Sequence, residues 1–491
     1  MAPKNPDPHP PLSPSGAPEV LRFSADLTTP VRAFLALVPP GAEGFLLESV
    51  AGGERQARFS FLGLDPLEVL EAGLGGAVLR RGRLRIPLPG PPLAALGRWL
   101  ASFPVFGREG LPFLGQAVGS VDFSAFALAE PSLAPAFRGC RKAPVHLGRF
   151  GTGLVLDHAL QEGLLYGFPR PGERREDLLR RLRTLKDRLS GPVVLPSPGA
   201  PWKAALRPRK DRFLRNVEAA KEAIARGDAY QIVLSEPFAG RFDGDPFDLY
   251  RRLRRLNPSP YHFFLSLGGR CLLGASPEML VRVEPGEVLT VPIAGTRPRG
   301  RTAEEDRRLE AALRANPKER AEHAMLVDLS RNDLGRVCLP GTVEVPVREA
   351  VERYSHVLHL VSEVRGVPDG ADPLLRAFWS TFPAGTVSGA PKIRAAEILR
   401  RLEGGDRRAY GGAVLLVDPP RRLEACIAIR CLEMERGRVY FRSGAGIVAD
   451  SEPEAEWEEI HHKAGAVLAA LEQRDGHGGA EAAEAAGGLM P

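Results

Sequence analysis

Glu456, Glu459 and Lys463 recur at i, i+3 and i+7 near the end of the sequence. On a helix they would share one face. Asp450-Ser451 can cap such a helix and Pro453 suits its first turn. Two carboxylates and an ammonium in a row can hold a divalent cation and a substrate carboxylate. The same row also describes a solvated, salt-bridged face. A further carboxylate, Glu322, stands in KERAEHAMLVDLSRNDLGR, which has helical period with Ala321, Met325 and Leu329 on one side. A hard cation such as Mg²⁺ takes oxygen ligands and keeps several waters, so two carboxylates from distant helices suit it. Spacing alone does not bring them together.

Phe441-Arg-Ser-Gly444-Ala445-Gly446-Ile447 predicts a strand ending in a glycine turn. Glycines let backbone approach a ligand and offer N–H donors to a carboxylate; an ordinary structural turn has the same pattern. Gly385-Thr386-Val-Ser388-Gly389-Ala-Pro391-Lys392 places small residues and hydroxyls before a proline that can open a helix, where anions are favoured. His359 lies in the strand-like YSHVLHLV, on the other face from His356, and a satisfied core histidine fits it as well as a catalytic one. His461-His462 is most simply an exposed helical pair, with no H-E-x-x-H or second metal cluster beside it.

The elements that must position these residues divide the sequence. Residues 1–18 are Pro-rich and polar and predict a disordered tail; 473–491 are Gly/Ala/Glu-rich and predict a flexible one. Residues 19–190 mix short apolar strands with Gly/Pro turns, such as Phe45-Leu46-Leu47, a turn at Gly52-Gly53, then Phe59 to Leu62. Residues 191–209 form a connector, and 210–472 a better-patterned domain. There, Phe213, Val217, Ala220 and Ile224 give a helix over 211–226 that Gly227 can end. Tyr230 to Ser235 predicts a strand, and Thr302 with Glu305 a capping box. Strands and helices alternate irregularly, which favours α+β with antiparallel sheets over a doubly wound fold.

Composition excludes several classes. The chain has 491 residues, 44% of them hydrophobic, enough for a large core or two lobes sharing an interface. Its five cysteines form no C-x-x-C pair, which fits a reducing cytoplasm rather than a disulfide scaffold. The N-terminus lacks the apolar core of a secretory signal, and no run approaches the roughly 18 apolar residues of a membrane span. The net charge of +6 comes from arginines spread among acids, not from the clustered basic face of a nucleic-acid binder.

Taken together, the segments over about 211–470 resemble the chorismate-utilising enzyme family. The strings are GDAYQIVLS, NPSPYHFFL, GASPE, PIAGTRPRG, EHAMLVDLSRNDLGR, YSHVLHLVS, FPAGTVSGAPK, AYGGAV, IAIR and GAGIVADSEPEAEWEE, in that order. The resemblance implies antiparallel sheets sandwiched and flanked by helices in two intertwined lobes. It also implies a regulatory N-terminal lobe over 19–190 and a catalytic domain over 210–472. Three features separate the family's branches. Gln231 stands where water-adding members carry a lysine base; glutamine cannot deprotonate water, which points to ammonia as nucleophile. Ala294 stands where aminodeoxychorismate synthases carry a ring-attacking lysine. Leu46-Leu47-Glu48-Ser49 with Asn257-Pro-Ser-Pro260-Tyr261 resembles the tryptophan pocket of the anthranilate-forming members, although His262 departs from the commoner methionine. The branch implied is the anthranilate-forming lyase, with aminodeoxychorismate synthase as the alternative.

By that resemblance Glu322 and Glu459 hold Mg²⁺, with Glu456 nearby, and the metal holds the ring carboxylate. Arg430, Tyr410 and the Gly444, Ala445 and Gly446 backbone bind the enolpyruvyl carboxylate; Gly295, Thr296, Thr386 and Lys463 complete the pocket. Glu278 protonates the leaving C4 hydroxyl, which requires its pKa to rise, as burial can achieve. His359 serves the later loss of the C2 proton and pyruvate. Tryptophan, as inhibitor, would contact Ser49, Pro260, Tyr261 and His262. No cysteine sits in a nucleophile-elbow context, so the resemblance implies a separate glutamine amidotransferase subunit, in a heterodimer or heterotetramer, as the source of ammonia.

Overall fold

The computed structural model describes residues 17–49, 58–104, 114–300, 302–353 and 357–472. The tail at 1–16, the Gly52-Gly53 turn, His356 and the 473–491 tail lie outside the described residues.

Among the described residues two twelve-stranded antiparallel sheets carry the fold, and each takes five strands from the N-terminal part of the chain and seven from the C-terminal part. In the first sheet, Gly44–Glu48 joins Tyr261–Leu267, with Glu48 opposite His262. In the second, Ala117–Val121 joins Ala413–Asp418, with Val121 opposite Ala413. The predicted α+β class with intertwined lobes is therefore the observed one.

Strand alternation explains why two sheets of this size stack. On Ala413–Asp418, Val414 and Leu416 face Phe45, Phe263 and Leu265 of the first sheet, while Ala413, Leu415 and Val417 face helices on the other side. Both faces are apolar, so both are covered. Each fully buried Val, Leu or Phe side chain contributes about 1.5–3 kcal/mol from removal of apolar surface from water. Phe45 and Phe150 add an edge-on contact across the sheets, with ring centroids 4.7 Å apart.

Local signals set most boundaries. Helix Lys210–Ala225 buries Phe213, Val217 and Ala220, and Gly227 follows in the left-handed region at φ 80°. Thr302 Oγ accepts from Glu305 N at 3.2 Å, starting helix Ala303–Ala315 as a capping residue should. The strand predicted from Tyr230 begins at buried Gln231 and runs to Arg241; Tyr230 is exposed. Within 191–209, Lys203–Leu206 forms an edge strand against Gln231–Arg241, because that long strand would otherwise leave an unpaired edge.

Three local predictions change. Gly444–Gly446 do not form a turn: strand Arg438–Ile447 continues through them, paired with Gln231–Arg241. Ser451 does not cap helix Pro453–Glu472; its hydroxyl accepts from Val448 N at 3.0 Å, closing the turn before the helix. Helix Pro317–Gly335 also rotates its core face away from the predicted one. His323, Leu326, Val327 and Leu334 are buried, whereas Ala321 is exposed. No helix among the described residues is long and apolar enough to cross a membrane.

Candidate active site

Two of the places where the chain crosses between the sheets are neighbours, and each of these crossings carries a charged residue. Pro277-Glu278 links Arg270–Ser276 of the first sheet to Met279–Glu284 of the second. Ala428 to Arg430 links Arg422–Ile427 of the second back to Cys431–Glu435 of the first. The crossings are tied together: Ile427 N donates to Glu278 O at 3.0 Å, and Ala275 N to Arg430 O at 3.1 Å. Arg430 has φ 47°, a backbone region that costs a non-glycine residue energy and is kept where the surroundings demand it.

Glu278 is half-buried. Its Oε1 accepts the Thr386 hydroxyl at 3.0 Å. Burial pushes its pKa up to about 7, against the opposing pull of that hydrogen bond, Lys463 and Arg430. His359 stands on strand Val357–Gly366 opposite Thr296. Its Nδ1 lies 3.1 Å from Gly295 O; a carbonyl only accepts, so Nδ1 carries the hydrogen and the lone pair is on Nε2. Burial lowers the ring's pKa, which keeps it neutral.

The glycines act by close approach. A Cβ on Gly446 would come within 2.7 Å of Gln231 Nε2, and one on Gly444 within 2.6 Å of the Tyr410 hydroxyl oxygen. Two polar side chains therefore lie flat against a strand with no side chains of its own there, flanking Ala445. Beyond Phe441 that strand pairs only with Gln231–Arg241, and Gly444 O accepts from Lys463 Nζ at 3.3 Å. Gln231 is buried and its Oε1 has no hydrogen-bond partner. Burial lifts the Tyr410 phenol to about 12, so it remains an O–H donor.

Helix Pro317–Gly335 borders the same cleft. Glu319 lies where a Cβ on Gly295 would meet it, and Leu329 where one on Gly385 would. Glu322, on the same face between them, is half-buried along this wall. Glu459, on helix Pro453–Glu472, pairs with Lys463 at 2.5 Å, and both are about half exposed. Among the described residues no three His, Cys, Asp or Glu side chains cluster at metal spacing. The donor set fits only a hard cation that completes its shell with water and substrate oxygens.

Ser49, Pro260, Tyr261 and His262, expected to contact tryptophan, lie on or beside two paired strands. Because His262 pairs with Glu48, Ser49 follows beside the Pro260-Tyr261 peptide. Tyr261 points between the sheets, where its hydroxyl donates to Glu424 at 3.2 Å. His262 points the opposite way, toward Tyr250, and its Nε2 accepts from Ser259 N at 3.0 Å. The Ser49 and Ser259 hydroxyls are buried without hydrogen-bond partners among the described residues.

Sequence inspection missed the supports of these groups. Asn257 Nδ2 donates to Ala275 O at 3.2 Å, and its Oδ1 accepts from Arg430 at 3.4 Å, so the 257–262 segment touches the site arginine directly. Buried Arg407 bonds Glu403, Val233 O and Val387 O and lies over the Tyr410 ring. An arginine among many carries no sequence signal for such a role; its partners come from a strand, a short helix and the end of the preceding helix.

Against known proteins, the family model described as chorismate binding enzyme matches residues 97–469. Anthranilate synthase component 1 of Streptomyces coelicolor is 43% identical over 92% of this chain and 88% of its own length. The protein of that name from Thermus thermophilus is 41% identical, over 92% and 97% respectively. The crystal structure of anthranilate synthase component I from Streptococcus pneumoniae superposes with TM-score 0.75 at 33% identity, over 84% of this chain and 92% of that one. The menaquinone-specific isochorismate synthase of Escherichia coli, at 21% identity and TM-score 0.68, shares the fold.

Proposed function

The chain belongs to the chorismate-binding enzyme family, and on that premise we propose that it is the chorismate-converting component of an anthranilate synthase, a lyase of tryptophan biosynthesis. The observation that carries the assignment is the pairing of a raised-pKa Glu278 with a neutral, buried Gln231 in one cleft. Ala294, in the position that distinguishes aminodeoxychorismate synthases, is a buried strand residue with no amine to offer. The test is direct: purified chain with chorismate, Mg²⁺ and ammonium should form fluorescent anthranilate.

Arg430, with its fork of donors, and the Tyr410 hydroxyl bind the enolpyruvyl carboxylate beside the Gly444–Gly446 backbone. Gly295, Thr296 and Lys463 line the rest. Glu322 and Glu459 would hold Mg²⁺, which when bound neutralises the ring carboxylate. Gln231 Oε1 accepts an N–H of ammonia and cannot take a proton from water. Ammonia attacks C2 as the C4–O bond breaks. Glu278 gives its proton to the departing hydroxyl, which leaves as water, and Thr386 holds the resulting carboxylate. The new ammonium group releases a proton to solvent, the ring loses its C2 proton to His359 Nε2 as the C3–O bond to the enolpyruvyl group breaks, and the departing enolate takes up a proton at its methylene carbon to leave as pyruvate from an aromatic product.

Ammonia reaches this site from a glutamine amidotransferase subunit in the cytoplasm; the name component 1 borne by the relatives fits a second component. The isolated chain should therefore use ammonium salts and not glutamine. Glutamine-dependent anthranilate from the highly purified chain would overturn the partner assignment.

Tryptophan inhibits by binding beside Ser49 and the Pro260-Tyr261 peptide, where two buried hydroxyls lack hydrogen-bond partners among the described residues. It acts by favouring a state that binds chorismate poorly, and by linkage chorismate weakens tryptophan binding by the same factor. Such couplings are typically about 1–3 kcal/mol. Asn257 gives the pocket a short path to Arg430. Ser49→Phe should fill the pocket and relieve inhibition while uninhibited activity stays near normal. Superimposable tryptophan titrations of wild type and variant would place the pocket elsewhere.

A further inference from the structure

Tyr410 lies in a loop between helix Lys392–Glu403 and strand Ala413–Asp418, and a residue more than 260 positions earlier holds that loop. Arg141 precedes strand Val145–Phe150. Its backbone N donates to Asp406 Oδ2 at 2.8 Å, while Asp406 Oδ1 accepts from Arg408 N at 2.9 Å. Its guanidinium grips Glu433 at 2.7 Å and Asp122 at 2.9 Å. The other oxygen of Glu433 accepts the N–H of Ala409, the residue before Tyr410, at 2.8 Å. Phe123 N, next to Asp122, donates to Arg408 O at 2.9 Å. Asp122 and Glu433 are buried and share Arg270 as a second cation.

We propose that Arg141, from the N-terminal part of the chain, is a positioning residue for Tyr410 in substrate binding. A planar guanidinium bridging Asp122 and Glu433 fixes where Glu433 can sit. Glu433 in turn fixes the Ala409-Tyr410 peptide, and the Tyr410 hydroxyl has little latitude against Gly444. A lysine can satisfy one of these carboxylates but cannot bridge both with the same geometry. The N-terminal half of the chain is thus a structural partner in binding the substrate's carboxylate, in addition to any regulatory role.

The inference rests on the chorismate assignment and on Tyr410 as a substrate contact, so the test separates them. Wild type, Tyr410→Phe, Arg141→Gln and the double variant are compared for chorismate KM, kcat and thermal midpoint, with Arg141→Lys as the milder change should the glutamine variant fail to fold. Chorismate turnover by wild type and a raised KM in Tyr410→Phe check the underlying assignment alone. Arg141→Gln should raise KM about tenfold with kcat changed less than about threefold, Arg141→Lys should fall between it and wild type, and either should add less than about twofold in the Tyr410→Phe background, since residues acting through one contact are non-additive. A lowered midpoint with unchanged KM, or KM effects that multiply in the double variant, would show that Arg141 only stabilises the fold and would overturn the proposal.

Discussion

Glu278→Gln should lower anthranilate formation by about 10²–10⁴-fold, the usual contribution of a positioned general acid, while chorismate still binds. Glutamine keeps the shape and can still accept the Thr386 hydroxyl, so folding should be spared. What it loses is the proton needed by a departing hydroxide. The pH dependence carries the sign. With its pKa raised to about 7, Glu278 is the protonated donor below that pH and is lost as the pH rises through it. Free ammonia changes in the opposite sense, since ammonium must lose a proton to become a nucleophile. At fixed total ammonium the wild-type rate should climb with pH until about 7, then level off, because each further gain in ammonia is matched by loss of the acid. Expressed per free ammonia, the rate should fall above pH 7. In Glu278→Gln the levelling should vanish and the residual rate should simply follow free ammonia. A variant that retained the plateau would assign the titration to another group.

How far the sequence alone reached follows the range of the interactions. The helix at Lys210–Ala225 and the capping box at Thr302 were legible because period, cap and terminating glycine are local. The glycine stretch at 444–446 was misjudged as a turn because glycine promotes turns locally, whereas here the partner strand Gln231–Arg241 and the packing of Tyr410 and Gln231 decide. The core face of Pro317–Gly335 was misplaced for a related reason. Apolar period identifies a stripe, but Leu329 of that stripe leans on Gly385 at the cleft, and His323 occupies the core, hydrogen-bonded to Ser362. Glu278 and Arg430 stand in strings that the resemblance singles out. Their role as crossings between two sheets was not legible, because it depends on strand order, which no local pattern encodes. His262 illustrates the same limit: it adjoins Tyr261 in sequence, yet alternation sends the two side chains to opposite faces.

Glu322→Gln and Glu459→Gln should each lower turnover by about 10³-fold or more, the scale of removing several kcal/mol of charge stabilisation at a bound metal, without unfolding the protein. The Glu459–Lys463 pair is half exposed on its helix, and exposed pairs of this kind contribute about 0–1 kcal/mol. Glu322 is half-buried on the cleft side of Pro317–Gly335, not in the face that packs into the core. On the proposed function, these two carboxylates would hold a hard cation that completes its shell with water and substrate oxygens. Loss of one charge should appear in binding as well as in rate: titration calorimetry with Mg²⁺ should show weakened affinity in both variants, and the Mg²⁺ concentration for half-maximal activity should rise. Glu459→Gln should in addition release Lys463, which now sits between Glu459 and Gly444 O, toward the carboxylate end of the substrate. Its chorismate KM should therefore change less than that of Glu322→Gln. Near-normal turnover with an unchanged Mg²⁺ requirement in either variant would remove that residue from the metal site.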